Sequence, residues 1–201
     1  MTKIVLASGN PGKAKEIQET LDGAIEIVIQ KSLNIDSVPE TGTTFVENAL
    51  IKAHHACHSS GLASLADDSG IEVYALKGKP GIYSARYAGP QATDEDNINK
   101  LLEVMGGLED RRCRFFCCMV FMKYPGDPTP VICQGSWEGS VFEQPRGANG
   151  FGYDPVFLAK GHTQSAAEME SRLKNAISHR GQALKKMVPH LQGWLEQWNL
   201  N

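Results

Sequence analysis

An α/β fold with a central mixed β-sheet flanked by helices is what this sequence predicts, and three observations predict it. Short apolar runs alternate with helical stretches from the first residues onward, turns rich in glycine and proline separate them, and no repeat, low-complexity tract or linker divides the chain. The 201 residues suit one domain, residues 1–201, large enough to bury a core without disulfides or metals. Interleaved strands and helices give it a two-lobed outline.

Lys3-Ile-Val-Leu-Ala-Ser8 is a continuous apolar run ending at Gly-Asn-Pro-Gly, the pattern of a buried strand. The segment Ala14 to Leu21 follows, with Ile17 and Leu21 at helical spacing and Pro11 where a helix N-terminus tolerates it. Strand, glycine turn, lysine and helix start together form an anion-binding arrangement from Ser8 through Gly9, Asn10, Pro11 and Gly12 to Lys13, with free backbone N–H groups at the positive helix end. The glycines are three apart, so this is not a Walker A loop. Ala24 to Ile29 reads as a second strand and Ser32 to Gly42 as a loop carrying Asp36 and Glu40.

Thr44-Phe-Val-Glu47 has the form of a capping box opening a helix to about Ser59, with Phe45, Ala49, Ala53 and Cys57 on one stripe. Lys52 lies off that stripe and is either solvated, the default expectation, or directed to a site, and His54, His55 and His58 read as surface residues. Leu62 to Asp68 and Ile71 to Leu76 read as strand segments either side of a turn at Asp67-Asp68-Ser69-Gly70. Adjacent carboxylates on an extended backbone face opposite sides, which suggests one structural and one chemical carboxylate. Residues 78–89 form a long loop, and Thr93 caps a helix whose first turn is acidic and which ends at Gly106-Gly107. Cys113 to Lys123 and Pro130 to Phe142 form a hairpin. After the glycine-rich loop from Arg146 to Gly152, helical signals run over Ala166 to Arg172 and Lys174 to Trp198, the second interrupted at Ser178-His-Arg-Gly181.

Composition excludes several functions. A formal net charge of −3 gives no broad pull on polyanions, so nucleic-acid binding is disfavoured and phosphate recognition must be local. No apolar run approaches membrane-spanning length, and the N-terminal apolar run is too short for a signal peptide. The five cysteines lack the spacing of a disulfide framework or a zinc site; packing as small hydrophobes in a reducing, cytoplasmic setting is the expectation.

Four loops carry unlike polar groups: the anion nest, the carboxylates Glu40, Asp67 and Asp68, the pair Phe151 and Asp154, and the basic pair His179 and Arg180. The set suits a nucleoside triphosphate with Mg²⁺, an ion that takes one or two protein carboxylates and completes its shell with phosphate and water. A base stacked on Phe151 would gain about 1–3 kcal/mol.

The blocks Ser8-Gly-Asn-Pro-Gly-Lys13, Glu40-Thr-Gly-Thr-Thr-Phe-Val-Glu-Asn-Ala49, Ala66-Asp-Asp-Ser-Gly70, Pro80-Gly-Ile-Tyr-Ser-Ala-Arg-Tyr87, Gly150-Phe-Gly-Tyr-Asp-Pro155 and Ser178-His-Arg-Gly-Gln-Ala-Leu184 resemble, in order and over nearly the whole chain, the motif series of the inosine/xanthosine triphosphate pyrophosphatases, the Ham1/RdgB-like family. The resemblance implies an elongated, two-lobed Maf/Ham1-like domain with a cleft, working as a cytoplasmic homodimer. It also implies Mg²⁺-dependent hydrolysis of ITP, dITP and XTP to the monophosphate and pyrophosphate, cleansing the nucleotide pool. Carried over by position, Ser8, Gly9, Asn10, Pro11, Gly12 and Lys13 would hold the triphosphate. Glu40 and Asp68 would hold the metal, with Asp68 also the base that prepares water. Ser69 would touch substrate, and Phe151, Gly152, Tyr153 and Asp154 would meet base and sugar. Lys174, His179 and Arg180 would line the base pocket, and Lys52 joins the site on the same ground.

The chemistry also follows from principle. Phosphoryl transfer needs positioning and charge neutralisation more than covalent help. Hypoxanthine and xanthine carry a 6-oxo acceptor where adenine has an amino donor, so a donor such as Arg180 favours the former, and a buried bond of that kind discriminates by about 10⁴–10⁵. Guanine shares the 6-oxo group, so its rejection must lie at the 2-position. A Maf-like pyrophosphatase preferring pyrimidine or modified nucleotides and a nucleotide sensor without turnover are the alternatives. Pyrophosphate release from ITP and from UTP separates all three.

Overall fold

The structure is a computed structural model that describes residues 2–21, 23 and 25–198, without the side chains of Thr20 and Trp198. A six-stranded sheet of order β2-β1-β3-β4-β5-β6 organises it. The strands are β1 (Thr2–Leu6), β2 (Ile25–Ile29), β3 (Ala63–Val73), β4 (Arg112–Met122), β5 (Val131–Val141) and β6 (Phe157–Ala159). β1 pairs in parallel with both β2 and β3, and β5 pairs antiparallel with β6, so the sheet is mixed. Ala24, the expected first residue of the second strand, lies outside the described residues.

Five α-helices are described: α1 (Pro11–Thr20), α2 (Phe45–Ser60), α3 (Asp94–Val104), α4 (Ser171–Ile177) and α5 (His179–Trp198). Their starts are chemically marked. Asn10 caps α1 and Pro11 occupies its first turn, while Thr44 and Glu47 form the expected capping box of α2 and Thr93 and Asp96 form another at α3. Gly61 ends α2 in the left-handed conformation at φ 70°.

The chain divides into two compact units, residues 1–68, 117–135 and 180–201 in one and residues 69–116 and 136–179 in the other. Neither is a continuous stretch, and β3, β4 and β5 contribute residues to both, which is why no linker announces the division in the sequence.

In the first unit the two-residue period of the strands sorts side chains onto two faces. Ile4, Leu6, Ala63, Leu65, Cys117, Met119 and Phe121 pack with Ile17 of α1 and Leu184, Met187 and Leu191 of α5. The intervening strand positions Val5, Ser64, Ala66, Cys118 and Val120 are equally buried. Ser64 marks which helix covers that face, since its hydroxyl donates to the Ala53 carbonyl of α2 at 2.8 Å. In the second unit Ile71, Val73, Phe115, Trp137 and Phe157 form a core with Ile98, Leu101 and Met105 on and just beyond α3.

Several local expectations are corrected. No turn interrupts Asp67 to Gly70: β3 runs straight through, because Gly70 lets the backbone pass close to Gly81 and Ser84, and the Ser84 hydroxyl accepts the Ile71 N–H at 2.9 Å. Tyr74 to Leu76 is a 3₁₀ turn rather than strand. Loop 78–89 contains a 3₁₀ helix, Gly81–Arg86, and another, Gln30–Leu33, opens the loop that carries Glu40. Ala166 to Glu170 is not helical; Ala166, Ala167 and Met169 are buried there, and helix begins at Ser171, where Glu170 caps it. The interruption near Ser178 is a single residue, so His179 and Arg180 start α5 rather than break it.

Candidate functional site

In the first unit the adjacent carboxylates of β3 belong to opposite faces. Asp67 continues the row of Ala63 and Leu65, and Asp68 that of Ser64 and Ala66. Each therefore meets different helices.

Asp67, 1% exposed, is enclosed by cations and donors. Lys13 of α1 forms an ion pair with its Oδ1, Arg180 Nε of α5 reaches its Oδ2 at 3.3 Å, and Cys117 Sγ donates to Oδ2 at 3.0 Å. Arg180 also donates from Nη1 to Glu16 at 2.6 Å. Burial pushes the Asp67 pKa up, but Arg180 and then Lys13 outweigh it and hold the carboxyl well below its usual range. Asp67 is thus an anion at neutral pH that fixes where two cationic side chains stand.

Asp68, 7% exposed, accepts a bond from Lys52 Nζ at 2.7 Å on Oδ1, and Lys52 also donates to Glu40 Oε1 at 2.8 Å. The expectation that Lys52 is solvated is corrected: α2 turns this residue off its buried stripe and onto both candidate metal-binding carboxylates. Burial lowers the Lys52 pKa, yet Asp68 and then Glu40 overcome that and raise it. For Asp68 burial prevails over Lys52 and raises its pKa, the direction that suits a general base.

Asp68 Oδ2 is buried and has no hydrogen-bond partner among the described residues. An orphaned carboxylate oxygen, beside a second carboxylate held by the same lysine, fits a hard divalent cation. Mg²⁺ asks little more than one or two such oxygens, its remaining ligands being phosphate and water. No group of three or more histidine, cysteine or acidic side chains able to hold a metal occurs among the described residues.

The segment Ser8 to Lys13 is only partly the open nest expected. Asn10 Oδ1 accepts the N–H groups of Gly12 at 2.8 Å and Lys13 at 3.3 Å, and the Asn10 N–H donates to Ser8 Oγ at 3.1 Å. The helix end keeps its positive pole, but these donors are already satisfied by the cap. Lys13 is held by Asp67 rather than solvated.

Glu40 stands on a loop clamped to the first turn of α2. The Thr43 and Thr44 N–H groups donate to Glu47 Oε2 at 2.7 and 2.9 Å, and the Gly42 N–H donates to Asn48 Oδ1 at 2.9 Å. Asn48 is fully buried and its Nδ2 has no partner among the described residues, a situation that costs about 1–3 kcal/mol.

The second unit holds Phe151 to Asp154, Lys174 and His179 of the residues expected to meet a base, whereas Arg180 falls in the first, on Asp67 and Glu16. Asp154 accepts the Phe151 N–H at 3.0 Å and pairs with Lys174 of α4 at 2.6 Å, while the Lys174 ammonium lies 4.9 Å from the centre of the Phe151 ring. Gly152, at φ 60°, gives its N–H to Asp94 in the first turn of α3 at 2.6 Å. Phe151 and Gly152 are half-buried, whereas Tyr153 is buried and donates its hydroxyl to the Ser84 carbonyl at 2.8 Å. His179 stacks on Phe115 with centroids 4.7 Å apart and planes 9° off parallel. Ser69, half-buried, directly follows Asp68 in β3.

Sequence reasoning missed three contributors: Glu16, Cys117 and Asn48. Glu16 and Cys117 act through partners distant along the chain, so spacing carried no signal. Asn48 did carry one, as a polar residue beside the apolar stripe of α2.

Comparison with known proteins shows the family. The sequence model of the Ham1 family matches residues 4–190. The dITP/XTP pyrophosphatase of Photobacterium profundum is 52% identical over 195 residues, covering 96% of this chain and 99% of that protein. The dITP/XTP pyrophosphatase of Escherichia coli (strain K12) is 49% identical with the same coverage of both. Among solved structures, a HAM1 protein from Coxiella burnetii superposes with a TM-score of 0.89 at 48% identity, over 96% of this chain and all of that one. With its motif blocks, mixed sheet and nearly full-length matches all in accord, this chain belongs to the Ham1 family.

Proposed function

We propose that this protein is a nucleoside triphosphate pyrophosphatase that hydrolyses non-canonical purine nucleotides, dITP, ITP and XTP, to the monophosphate and pyrophosphate. Family membership and the named activity of the relatives support the reaction class. The observation that carries the mechanism is Asp68, with one oxygen on Lys52 beside Glu40 and the other buried and unclaimed.

Mg²⁺ bound by Glu40 and Asp68 would neutralise phosphate charge and acidify water. The chain's own groups do the rest. Lys52 and Lys13 are cations kept ready by Asp68 and Asp67, and they transfer their donors to phosphate oxygens when a triphosphate arrives with its own negative charge. Ser8, Gly9 and the pole of α1 with its cap, Asn10, Pro11 and Gly12, receive the phosphate tail, and Ser69 contacts it from β3. Asp68 takes the proton of the attacking water as the phosphoanhydride between the α and β phosphates breaks. The Lys52 ammonium carries three donors, so it keeps one on this carboxylate to hold it in place while another meets phosphate.

Base recognition falls to Phe151, whose half-exposed ring offers a stacking surface, and to donors that meet a 6-oxo group. Asp154 and Tyr153 hold the loop around Phe151, Gly152 lets its backbone approach the ligand, and Asp154 fixes Lys174. His179 and Arg180 supply further donors, with Arg180 committing Nε and Nη1 to Asp67 and Glu16. Buried cysteines free of disulfides suit a reducing cytoplasm, and no described helix is long and apolar enough to cross a membrane. A homodimer is the working assembly.

Product analysis tests the reading. With Mg²⁺, ITP is to yield inosine monophosphate and pyrophosphate in equal amounts, and ATP is to be cleaved far more slowly. Orthophosphate as first product, or equal rates on ITP and UTP, would reject it.

A further inference from the structure

We infer that Asn48 is a positioning residue for the metal site, locking the loop that carries Glu40 onto the helix that carries Lys52. The inference rests on the proposed reading that Glu40 and Asp68 hold the metal. Glu40 lies in irregular chain, where a carboxylate has no fixed bearing unless something pins the backbone near it. Two residues on, Gly42 is pinned: its N–H meets Asn48 Oδ1 at 2.9 Å. The fit leaves no space, since a Cβ on Gly42 would stand 2.6 Å from Glu47 Cβ and 2.8 Å from Asn48 Oδ1. Asn48 and Lys52 are one helical turn apart, on the same side of α2. One helix turn therefore sets both the loop bearing Glu40 and the ammonium that Glu40 and Asp68 share.

The amide itself argues that stability is not its purpose. The Gly42 donor fixes the orientation with Oδ1 toward the loop, which turns Nδ2 into the interior with no partner among the described residues. A leucine has the same branched shape, if a larger volume, and would occupy the position without a buried, unpaired donor, giving up only the acceptor of the Gly42 N–H. A residue that costs stability yet holds a metal ligand's loop is acting as an outer-shell support, and loss of such supports typically weakens metal binding about 10–100-fold.

The test measures Mn²⁺ binding to the full-length protein by electron paramagnetic resonance, with Mn²⁺ alone as probe, alongside thermal unfolding and the Mg²⁺ dependence of ITP turnover. Wild type and Glu40→Gln come first; equal Mn²⁺ affinity in those two would sink the metal-site reading itself. Given a difference, Asn48→Leu is expected to bind Mn²⁺ at least about 10-fold more weakly, to need correspondingly more Mg²⁺ for half-maximal turnover, and to regain near wild-type kcat at saturating Mg²⁺. Its Tm should stay within a few degrees of wild type. Gly42→Ala, which displaces the same contact from the loop side, should weaken Mn²⁺ binding similarly, and the double variant should add little to either single one. If Asn48→Leu fails to fold, Gly42→Ala decides the matter alone. Unchanged Mn²⁺ affinity in a folded variant, or a loss of kcat that saturating Mg²⁺ does not restore, would overturn the inference.

Discussion

Asp68 and Asp67 are neighbours in sequence, and their surroundings give them different work. Asp68, the proposed base, keeps a buried oxygen without a partner among the described residues, and burial raises its pKa, the direction that suits that role. Asp68→Asn preserves volume and removes that capacity; kcat on ITP is expected to fall by at least about 10²-fold, with the unfolding midpoint near that of wild type. Asp67 instead anchors Lys13, Arg180 and Cys117. Removing one member of a buried ion-pair set leaves charges uncompensated and costs about 3–5 kcal/mol, so Asp67→Asn should destabilise at pH 7 in urea unfolding. The sign of its pH dependence follows from the direction of the shift. The folded pKa lies well below the unfolded one, near 4. The stabilisation is therefore complete above the unfolded value and lost as pH falls toward the folded one. Wild type and Asp67→Asn should differ by about 1 kcal/mol less at pH 3 than at pH 7. A constant difference would show that the carboxylate is not the stabilising anion.

At the scale of elements, β3 is the strand on which everything is hung, and its path depends on one small residue. Gly70 follows Ser69 and lets the strand continue where a side chain would overlap the Gly81 carbonyl and stand 2.5 Å from Ser84 Oγ. Both belong to the 3₁₀ helix Gly81–Arg86. Gly70→Ala is expected to cost about 1–3 kcal/mol by overpacking, read as a lower Tm. Because Asp68 and Ser69 immediately precede it in the strand, the KM for ITP should rise as well. Asn10 does analogous work for α1, since its cap sets the start of the helix that carries Lys13 and Glu16.

At the scale of the whole molecule, Lys13, Glu40, Lys52 and Asp68, proposed for metal and phosphate, fall in the first unit together with Arg180, and Phe151, Asp154 and Lys174, proposed for the base, fall in the second. The chain passes between the units four times, and two of the crossings, 68/69 and 179/180, make Asp68 with Ser69, and His179 with Arg180, consecutive residues assigned to different units.

By itself the sequence determined most of the helix starts, the main strands and the family. Capping boxes, glycine stops and apolar periodicity are local signals, and ordered motif blocks need no third dimension to be recognised. It also determined that Asp67 and Asp68 must part company, because strand geometry alternates faces. Only the tertiary structure shows what surrounds each of the two. That depends on which helix covers each face of β3: α1 and α5 bring Lys13 and Arg180 to Asp67, while α2 brings Lys52 to Asp68. It likewise turned an expected turn into unbroken strand and an expected surface lysine into the link between Glu40 and Asp68, because both outcomes are set by long-range packing that residue spacing does not encode.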